Sequence, residues 1–350
     1  MMRMAPASVG LAIVIAPYVM TGAAMQTNQT LTAVEGIKVG HHTLTTRPTG
    51  CTVIIAEAGA VAGVDVRGAA PGTRETDLLN PVNTVQQVHA IVLSGGSAFG
   101  LAAADGTMRY LDEKGIGFPI GGGVVPIVTS AILYDLNVGD RKIRPDAACG
   151  YEAARAATNA PVAEGNVGAG AGATVGKLTR DGKAMKGGLG SAALALPNGL
   201  VVAALVAVNA VGNVVDPATG RTIAGARTAD GKGFVDLRAM LRGATGGAIE
   251  PRPLENTTLA VVATNAQLTK VQATRIAQRA HDGYARAIYP SHTSFDGDAI
   301  FALSTGTWKT QADADHIGSL AADAIAEAIV RAVRAATSIP GYPAARDLNK

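Results

Sequence analysis

Apolar and polar positions along the chain follow two periods, one typical of strands and the other of helices. Four short runs rich in β-branched and small apolar residues predict buried strands at residues 51–58, 89–93, 200–208 and 259–264. Longer alanine-rich stretches with helical spacing predict helices at residues 100–114, 150–157, 269–288 and 319–336. The alternation predicts an α/β fold in which the two long C-terminal helices pack tightly on a sheet face.

The composition supports a deep core and argues against a nucleic-acid partner. Of the 350 residues, 48% are apolar and 16% are charged, which is ample material for one large domain or two. The formal net charge is only +3, Lys and Arg are spread along the chain, and aromatic residues make up 4%. Because nucleic-acid binding needs a concentrated basic surface or a stacking platform, we expect no such partner.

Cysteine and histidine spacing gives no indication of a metal site. Cys51 and Cys149 are far apart and form no Cys-x-x-Cys or Cys/His motif. We expect both to be buried as small hydrophobic side chains. The six histidines are scattered, and no His-Glu-x-x-His motif occurs. The sequence therefore predicts no metal.

Glycine is abundant, and most of the 43 glycines fall in clusters at residues 63–72, 94–100, 121–123 and 165–172. The second and fourth clusters invite a nucleotide-binding interpretation. Neither has Gly-x-Gly-x-x-Gly between a strand and a helix with an acidic residue beyond it, and no Gly-Lys-Ser/Thr follows. We therefore predict sharp turns whose backbone lines a pocket, and no cofactor.

The N-terminus resembles a secretory signal. Residues 1–4 carry one positive charge, residues 5–20 are mostly apolar, and residues 21–24 are small. Cleavage near Ala24 would place the mature chain, residues 25–350, in the periplasm or outside the cell. Without such cleavage the protein would be cytoplasmic, and the segment would be a loose extension or would precede a true start at Met25. No other segment has the apolar length needed to cross a bilayer.

One short segment suggests covalent chemistry. Residues 255–265 read E-N-T-T-L-A-V-V-A-T-N, so a Thr-bearing loop leads into a buried strand. If the chain cut itself between Asn256 and Thr257, Thr257 would become an N-terminal nucleophile. Taken alone, the segment is better explained as a loop Asn followed by β-forming residues.

Further motifs, collinear with this segment, identify a family. They are G-V-D-V-R-G-A-A-P-G-T-R-E-T-D at 63–77, L-S-G-G-S-A-F-G-L-A-A-A-D-G at 93–106, I-L-Y-D-L at 132–136, G-A-G-A-T-V-G-K at 170–177, V-A-V-N-A-V-G at 206–212, N-T-T-L-A-V-V-A-T-N at 256–265 and H-T-S-F-D-G-D at 292–298. Together they resemble the self-processing L-aminopeptidase/D-esterase (DmpA-like) peptidase family. The resemblance runs from about residue 30 to about residue 335.

The resemblance implies a fold and a maturation step. Members of that family are similar to N-terminal-nucleophile hydrolases, which form a four-layer α/β/β/α sandwich from one precursor that is cut once. Here the cut would give a large chain, residues 25–256, and a small chain, residues 257–350. The two chains would stay associated in a homo-oligomer, a tetramer of processed heterodimers.

The implied activity is that of an aminopeptidase that hydrolyses short peptides or peptide-like amides through an acyl-enzyme. The Asn-Thr-Thr junction matches the nylon-oligomer endohydrolase branch better than the Gly-Ser junction of the classical aminopeptidases. Hydrolysis of ω-amino-acid oligomers is therefore an alternative. Two further alternatives are an acyltransferase of related fold, whose junction follows Ala, and a binding protein that has kept only the fold.

Site positions carry over from the resemblance residue by residue. Thr257 would supply the attacking hydroxyl and, after the cut, an α-amine whose ordinary pKa of about 7.7 to 8 suits a base. Asn209 matches the family's oxyanion donor, Lys177 a cation near the nucleophile, and Tyr134 a phenol that lines the site. Without the resemblance, these three would be interpreted as a turn-capping Asn, a surface Lys and a half-buried core Tyr.

Asp296 and Asp298 flank a glycine in the F-D-G-D segment. A calcium site or a solvated loop would also explain this pattern. The resemblance favours carboxylates that orient the Thr257 amine and hydroxyl, and the sequence does not distinguish the roles of the two.

Overall fold

The computed structural model describes Met1 and residues 28–179, 183–245 and 256–348. The predicted signal segment, residues 1–24, lies outside the described residues apart from Met1. No helix among the described residues is long and apolar enough to cross a membrane.

The described residues form sixteen strands, six α-helices and four short 3-10 helices. The strands are β1 Ile37–Thr43, β2 Gly50–Val66, β3 Thr73–Arg74, β4 Gln87–Ser94, β5 Phe118–Ile120, β6 Gly123–Val125, β7 Val128–Ile132, β8 Thr174–Val175, β9 Met185–Lys186, β10 Gly188–Ala195, β11 Val201–Val208, β12 Asn213–Val215, β13 Thr222–Ala224, β14 Leu259–Ala266, β15 Ile288–Tyr289 and β16 Ala299–Trp308. The α-helices are α1 Ala103–Glu113, α2 Ala147–Arg155, α3 Leu237–Leu241, α4 Lys270–Ala287, α5 Ala314–Ala335 and α6 Ala345–Leu348. The 3-10 helices are Leu31–Ala33, Thr76–Leu79, Ser97–Ala102 and Gly168–Gly170.

The predicted strands and helices are confirmed, and the largest differences in length are those of β2 and α5. Strand β2 continues beyond the predicted end at residue 58, with a shift of register between Ile55 and Ala60 where it pairs with β4. Helix α5 begins at Ala314, earlier than predicted, because the Asp313 carboxylate caps it by accepting the Asp315 and His316 N–H groups.

Nine strands form one sheet in the order β10-β11-β14-β16-β2-β4-β7-β3, with β1 also paired to β2. The pairs β14–β16 and β4–β7 are parallel, and the other pairs of this sheet are antiparallel. The long strand β2 connects the two halves, because its first part pairs with β1 and β4 and its second part with β16.

Alternate residues of one strand enter different cores, which explains why the strands are apolar on both faces. In β11, Val206 packs in a core shared with α4 and α5, whereas Leu205 packs in a second core with Ile54 and Leu93 of the other half of the sheet. A third core joins β2 and β4 to α1 and α2. The layers therefore run helix, strand, strand, helix, and the predicted four-layer α/β/β/α sandwich is confirmed.

Helices α4 and α5 pack as closely as their small residues suggest. A Cβ atom placed on Gly283 of α4 would collide with the Ala322 carbonyl oxygen of α5. The absence of a side chain at Gly283 therefore permits this close contact of the two helices.

The prediction for the two cysteines is corrected by the structure. Cys51 in β2 and Cys149 in α2 are buried, as expected, but their sulfur atoms are joined in a disulfide. The bond cross-links a strand layer to a helix layer instead of leaving two small hydrophobic side chains. The residues are 98 positions apart, and sequence spacing cannot reveal a pairing that only the fold brings within bonding distance.

Candidate active site

The predicted nucleophile lies where one strand ends and its two neighbours begin. Strand β11 ends beside the start of the antiparallel β14, and β16 begins beside it in parallel. The pairing extends past the strand ends, since the Thr257 N–H group donates to the Asn209 carbonyl oxygen at 3.0 Å and Asn256 forms a bridge with Asp296. Strand register thus brings Thr257, Asn209 and the loop 296–298 together.

Thr257 is buried, with 2% of its surface exposed, and its hydroxyl faces the peptide bond that precedes it. The hydroxyl donates a hydrogen bond to the Asn256 carbonyl oxygen. The Gly297 N–H group donates to the same oxygen at 3.1 Å. A Cβ on Gly297 would lie 2.7 Å from Thr257 Oγ1 and would also collide with the Ala70 carbonyl oxygen. Only glycine fits here, and its N–H group can stabilise negative charge on the Asn256 oxygen.

Asp298 holds Thr258, the residue that follows Thr257. Its Oδ1 accepts the Thr258 N–H group at 2.8 Å. Its Oδ2 accepts the His292 backbone N–H group at 3.2 Å and the His292 ring nitrogen Nδ1 at 2.9 Å. The Thr258 carbonyl oxygen accepts the Tyr284 hydroxyl at 3.1 Å. Both backbone groups of Thr258 are therefore fixed by side chains, the N–H group by Asp298 and the carbonyl group by Tyr284.

Asp296 is oriented away from Thr258, with different partners. Its Oδ2 accepts the Thr293 N–H group at 3.1 Å and the Thr293 hydroxyl at 2.6 Å, and its Oδ1 accepts the Val211 N–H group at 3.4 Å. Burial, and secondarily the charge of Asp298, raises the pKa of Asp296 to about 6. Asp296 can therefore exchange a proton near neutral pH.

All four carboxylate oxygens of Asp296 and Asp298 accept hydrogen bonds from N–H or O–H donors. Among the described residues, no three His, Cys, Asp or Glu side chains are grouped so that they could hold a metal ion. The oxygens are directed at donors, an arrangement compatible with the predicted role of carboxylates that orient neighbouring groups.

Asn209 is clamped from both ends of its amide group. Its Oδ1 accepts the Lys177 ammonium at 2.9 Å and the Thr174 N–H group at 2.9 Å, and its Nδ2 donates to the Tyr134 carbonyl oxygen at 2.9 Å. Asn209 and Lys177 are both buried, so Lys177 is not the surface side chain of the alternative interpretation. Tyr134 contacts Asn209 through its backbone, and its phenol has no hydrogen bond with any residue that the structure describes.

Buried charges hold the two loops that clamp Asn209. Asp135, which follows Tyr134, pairs with the Arg47 guanidinium at 2.8 Å, and both side chains are fully buried. Lys186 donates to the carbonyl oxygens of Gly170 and Ala173, just before Thr174, at 2.8 and 3.0 Å. Burial lowers the pKa of Lys186 to about 7.

Comparison with known proteins identifies the family of this arrangement. The profile of peptidase family S58 matches residues 29–346. The chain belongs to peptidase family S58.

Named relatives of this S58 peptidase include aminopeptidases and nylon-oligomer hydrolases. It is 42% identical over 351 residues to an uncharacterized aminopeptidase of Mycobacterium leprae, covering 89% of this chain and 92% of that protein. It is 29% identical over 313 residues to a 6-aminohexanoate-oligomer endohydrolase of Kocuria sp., covering 85% of this chain and 84% of that protein. The S58 chain is therefore a peptidase or amidohydrolase.

Two solved structures share its fold. A β-aminopeptidase of Burkholderia sp. has a TM-score of 0.66 at 26% identity and covers 89% of this chain and 88% of its own. An L-aminopeptidase D-Ala-esterase/amidase of Ochrobactrum anthropi, described as a variant of the Ntn hydrolase fold, has a TM-score of 0.67 at 21% identity and covers 92% of each chain. The second likeness concerns the fold alone.

The structure brings five of the six predicted site side chains together and adds others. Thr257, Asn209, Lys177, Asp296 and Asp298 converge on the end of β11, while Tyr134 reaches it by its carbonyl group. The sequence interpretation missed Gly297, Thr174 and His292. The first two act through backbone N–H groups, which every sequence position except Pro offers, and His292 could have been noticed only as part of the H-T-S-F-D-G-D motif.

Proposed function

We propose that this S58 peptidase cuts itself between Asn256 and Thr257 and that Thr257 then hydrolyses short peptides or peptide-like amides. The observation that carries this proposal is the contact of the Thr257 hydroxyl with the Asn256 carbonyl group, in a buried junction with a donor, Gly297 N–H, already on the carbonyl oxygen. Nucleophile, electrophile and oxyanion donor are thus in contact before any substrate binds.

The cut proceeds in two steps, an acyl transfer from nitrogen to oxygen and the hydrolysis of the resulting ester. Thr257 Oγ attacks the Asn256 carbonyl carbon, the C–N bond of the junction breaks, and the hydroxyl proton passes to the departing Thr257 nitrogen. The resulting ester joins Asn256 to the Thr257 oxygen. Water then hydrolyses the ester to an Asn256 carboxylate and a Thr257 that carries both a hydroxyl and a free amine.

The uncut junction has features of a high-energy state. Both polar atoms of the Asn256 side chain are buried without a hydrogen-bond partner among the described residues. A buried amide without partners destabilises the folded chain. Cleavage at the Asn256 carbonyl group would make Asn256 a chain end, so that its side-chain amide could leave the buried position. Relief of this unfavourable burial favours the cut.

After the cut, the same groups act on a substrate. The Thr257 amine takes the hydroxyl proton, the Gly297 N–H group faces the oxyanion, and Asp298 keeps Thr258 in place. The family resemblance assigns Asn209 as a second oxyanion donor, and because an amide nitrogen carries two hydrogens, Nδ2 can donate to the oxyanion as well as to the Tyr134 carbonyl oxygen. Lys177, which donates to Asn209 Oδ1 at 2.9 Å, orients that amide and favours the neutral amine by its charge. The resemblance to the L-aminopeptidase/D-esterase family further suggests that the Tyr134 phenol donates a hydrogen bond in the site. It also suggests that the processed heterodimers form a homo-oligomer.

Aminopeptidase activity is the main proposal, and ω-amino-acid oligomer hydrolysis is the second candidate. The second is favoured by the endohydrolase relatives and by the Asn-Thr-Thr junction. A panel of L-α-, β-, D- and ω-aminoacyl amides, with 6-aminohexanoate oligomers beside them, separates the two. Membership of a peptidase family disfavours the acyltransferase alternative.

Intact mass spectrometry tests the cut. We expect two chains from the wild type, whose masses add to the precursor plus one water, and one chain from Thr257→Ala. Thr258→Ala is the matched control, because the Thr258 hydroxyl has no partner among the described residues, and it should still be cut before residue 257. An intact wild-type chain that hydrolyses amides, or a cut Thr257→Ala chain, would overturn the proposal.

A further inference from the structure

His292 lies beside the proposed site but has no role in it so far. It occupies the turn that leads to β16, and its φ is +55°, a left-handed conformation that residues other than Gly adopt at an energetic cost, smaller for Asn, Asp and His than for the others. Strain of this kind persists where the surroundings impose it, and it concentrates at functional sites.

The strained conformation directs two donors of His292 at one oxygen atom. The backbone N–H group lies 3.2 Å from Asp298 Oδ2 and the ring Nδ1 lies 2.9 Å from it. Nδ1 donates whenever it carries a proton, as it does in the imidazolium ion and in one of the two neutral tautomers. With Oδ2 fixed by these two bonds, the plane of the carboxylate is set, and Oδ1 meets the Thr258 N–H group at 2.8 Å.

Aromatic rings hold His292 from the other side. Its ring packs against His281 with centroids 4.7 Å apart and against Tyr284 with centroids 5.6 Å apart. Burial, and secondarily the charge of His292, lowers the pKa of His281 to about 4, so His281 packs as a neutral ring. Tyr284 is fully buried and also holds the Thr258 carbonyl group.

We propose that His292 is a positioning residue: through Asp298 it fixes the backbone of Thr258 and thereby the place of the neighbouring Thr257 hydroxyl. This inference rests on the proposed function of Thr257. It adds a residue that acts on the nucleophile through another side chain and does not touch the reacting atoms.

Two substitutions distinguish the effect of the His292 ring donor from the effect of the left-handed backbone conformation. His292→Gly keeps the left-handed backbone without strain and removes the ring donor. His292→Asn tolerates the same conformation and returns a side-chain N–H group at the distance of Nδ1. His316→Asn, at an exposed residue in the first turn of α5, is the matched control.

We expect His292→Gly to slow self-cleavage by at least about tenfold, because a displacement of 1 Å at a reacting group can cost ~10²-fold. His292→Asn should recover most of the rate, and His316→Asn should equal the wild type. In the mature enzyme, His292→Gly should lower kcat while KM stays near the wild-type value. The thermal midpoint of the glycine variant, measured in the uncut Thr257→Ala chain, should stay above the temperature of the cleavage assay, because relief of the strained φ partly offsets the lost contacts with His281 and Tyr284.

Three results would overturn the proposal. They are wild-type cleavage by His292→Gly, equally slow cleavage by His292→Asn and His292→Gly, and a loss of thermal stability in the glycine variant that accounts for its slow cleavage. Cleavage of Thr257→Ala itself would instead overturn the proposed function, so the two failures are distinguishable.

Discussion

Gly297→Ala tests the geometry of the junction with a single methyl group. The new Cβ would lie 2.7 Å from Thr257 Oγ1, about 0.7 Å short of ordinary van der Waals contact, and closer still to the Ala70 carbonyl oxygen. Neither neighbour is the flexible end of a long side chain, so the loop 296–298 must move away. That movement removes the Gly297 N–H group from the Asn256 oxygen, where it now lies at 3.1 Å.

The expected loss follows from this displacement. Loss of one oxyanion donor costs ~10²–10³-fold in rate, and the displaced hydroxyl adds to it. We therefore expect self-cleavage to slow by at least about a hundredfold, measured as the fraction of two-chain protein at fixed times after expression is stopped. Gly123→Ala is the control, because a Cβ there meets nothing within 4 Å. Maturation of folded Gly297→Ala at the wild-type rate would refute the reasoning.

Two further predictions concern Asn209 and Asp296. Asn209→Ala should slow turnover of the mature enzyme by about a hundredfold or more, as lost oxyanion donors do, and an unchanged kcat for the best amide substrate would remove Asn209 from the site. Burial raises the pKa of Asp296 from 3.8 to about 6. The contribution of its protonated form to the free energy of unfolding is therefore fully present below pH 3.8 and is lost as the pH rises through 6. Asp296→Asn in the uncut Thr257→Ala chain should therefore show a smaller fall of the thermal midpoint between pH 4 and pH 7, and an unchanged fall would contradict the raised pKa.

The layered fold could be predicted because its signals are local and repeated. Alternating apolar runs such as 259–264 predict a strand buried on both faces, and the alanine-rich stretch 319–336 predicts a helix in close contact. Even so, the start of α5 was misplaced, because the Asp313 cap lies outside the periodic stretch that defined the helix.

The site could be predicted only as a set of residues, not as a geometry. From the F-D-G-D segment alone, Asp296 and Asp298 are equivalent. In the structure, the Thr258 N–H group donates to Asp298 and the Val211 N–H group donates to Asp296. This division depends on the parallel register of β14 and β16, a pairing between distant segments. The role of the Gly297 N–H group could not be predicted for a related reason, because a backbone donor is identified by its position in space and not by its side chain.

The place of β14 in the sheet determines what self-cleavage can release. On one side β14 is hydrogen-bonded to β11, which lies before the junction, and on the other to β16, which is in turn bonded to β2. The two strands that follow the junction therefore lie side by side within the sheet, with strands that precede the junction on both sides of them. Scission at Asn256 would produce two polypeptides that could separate only if the hydrogen bonds of β14 to β11 and of β16 to β2 broke. The new Thr257 amine would therefore remain at the end of β11.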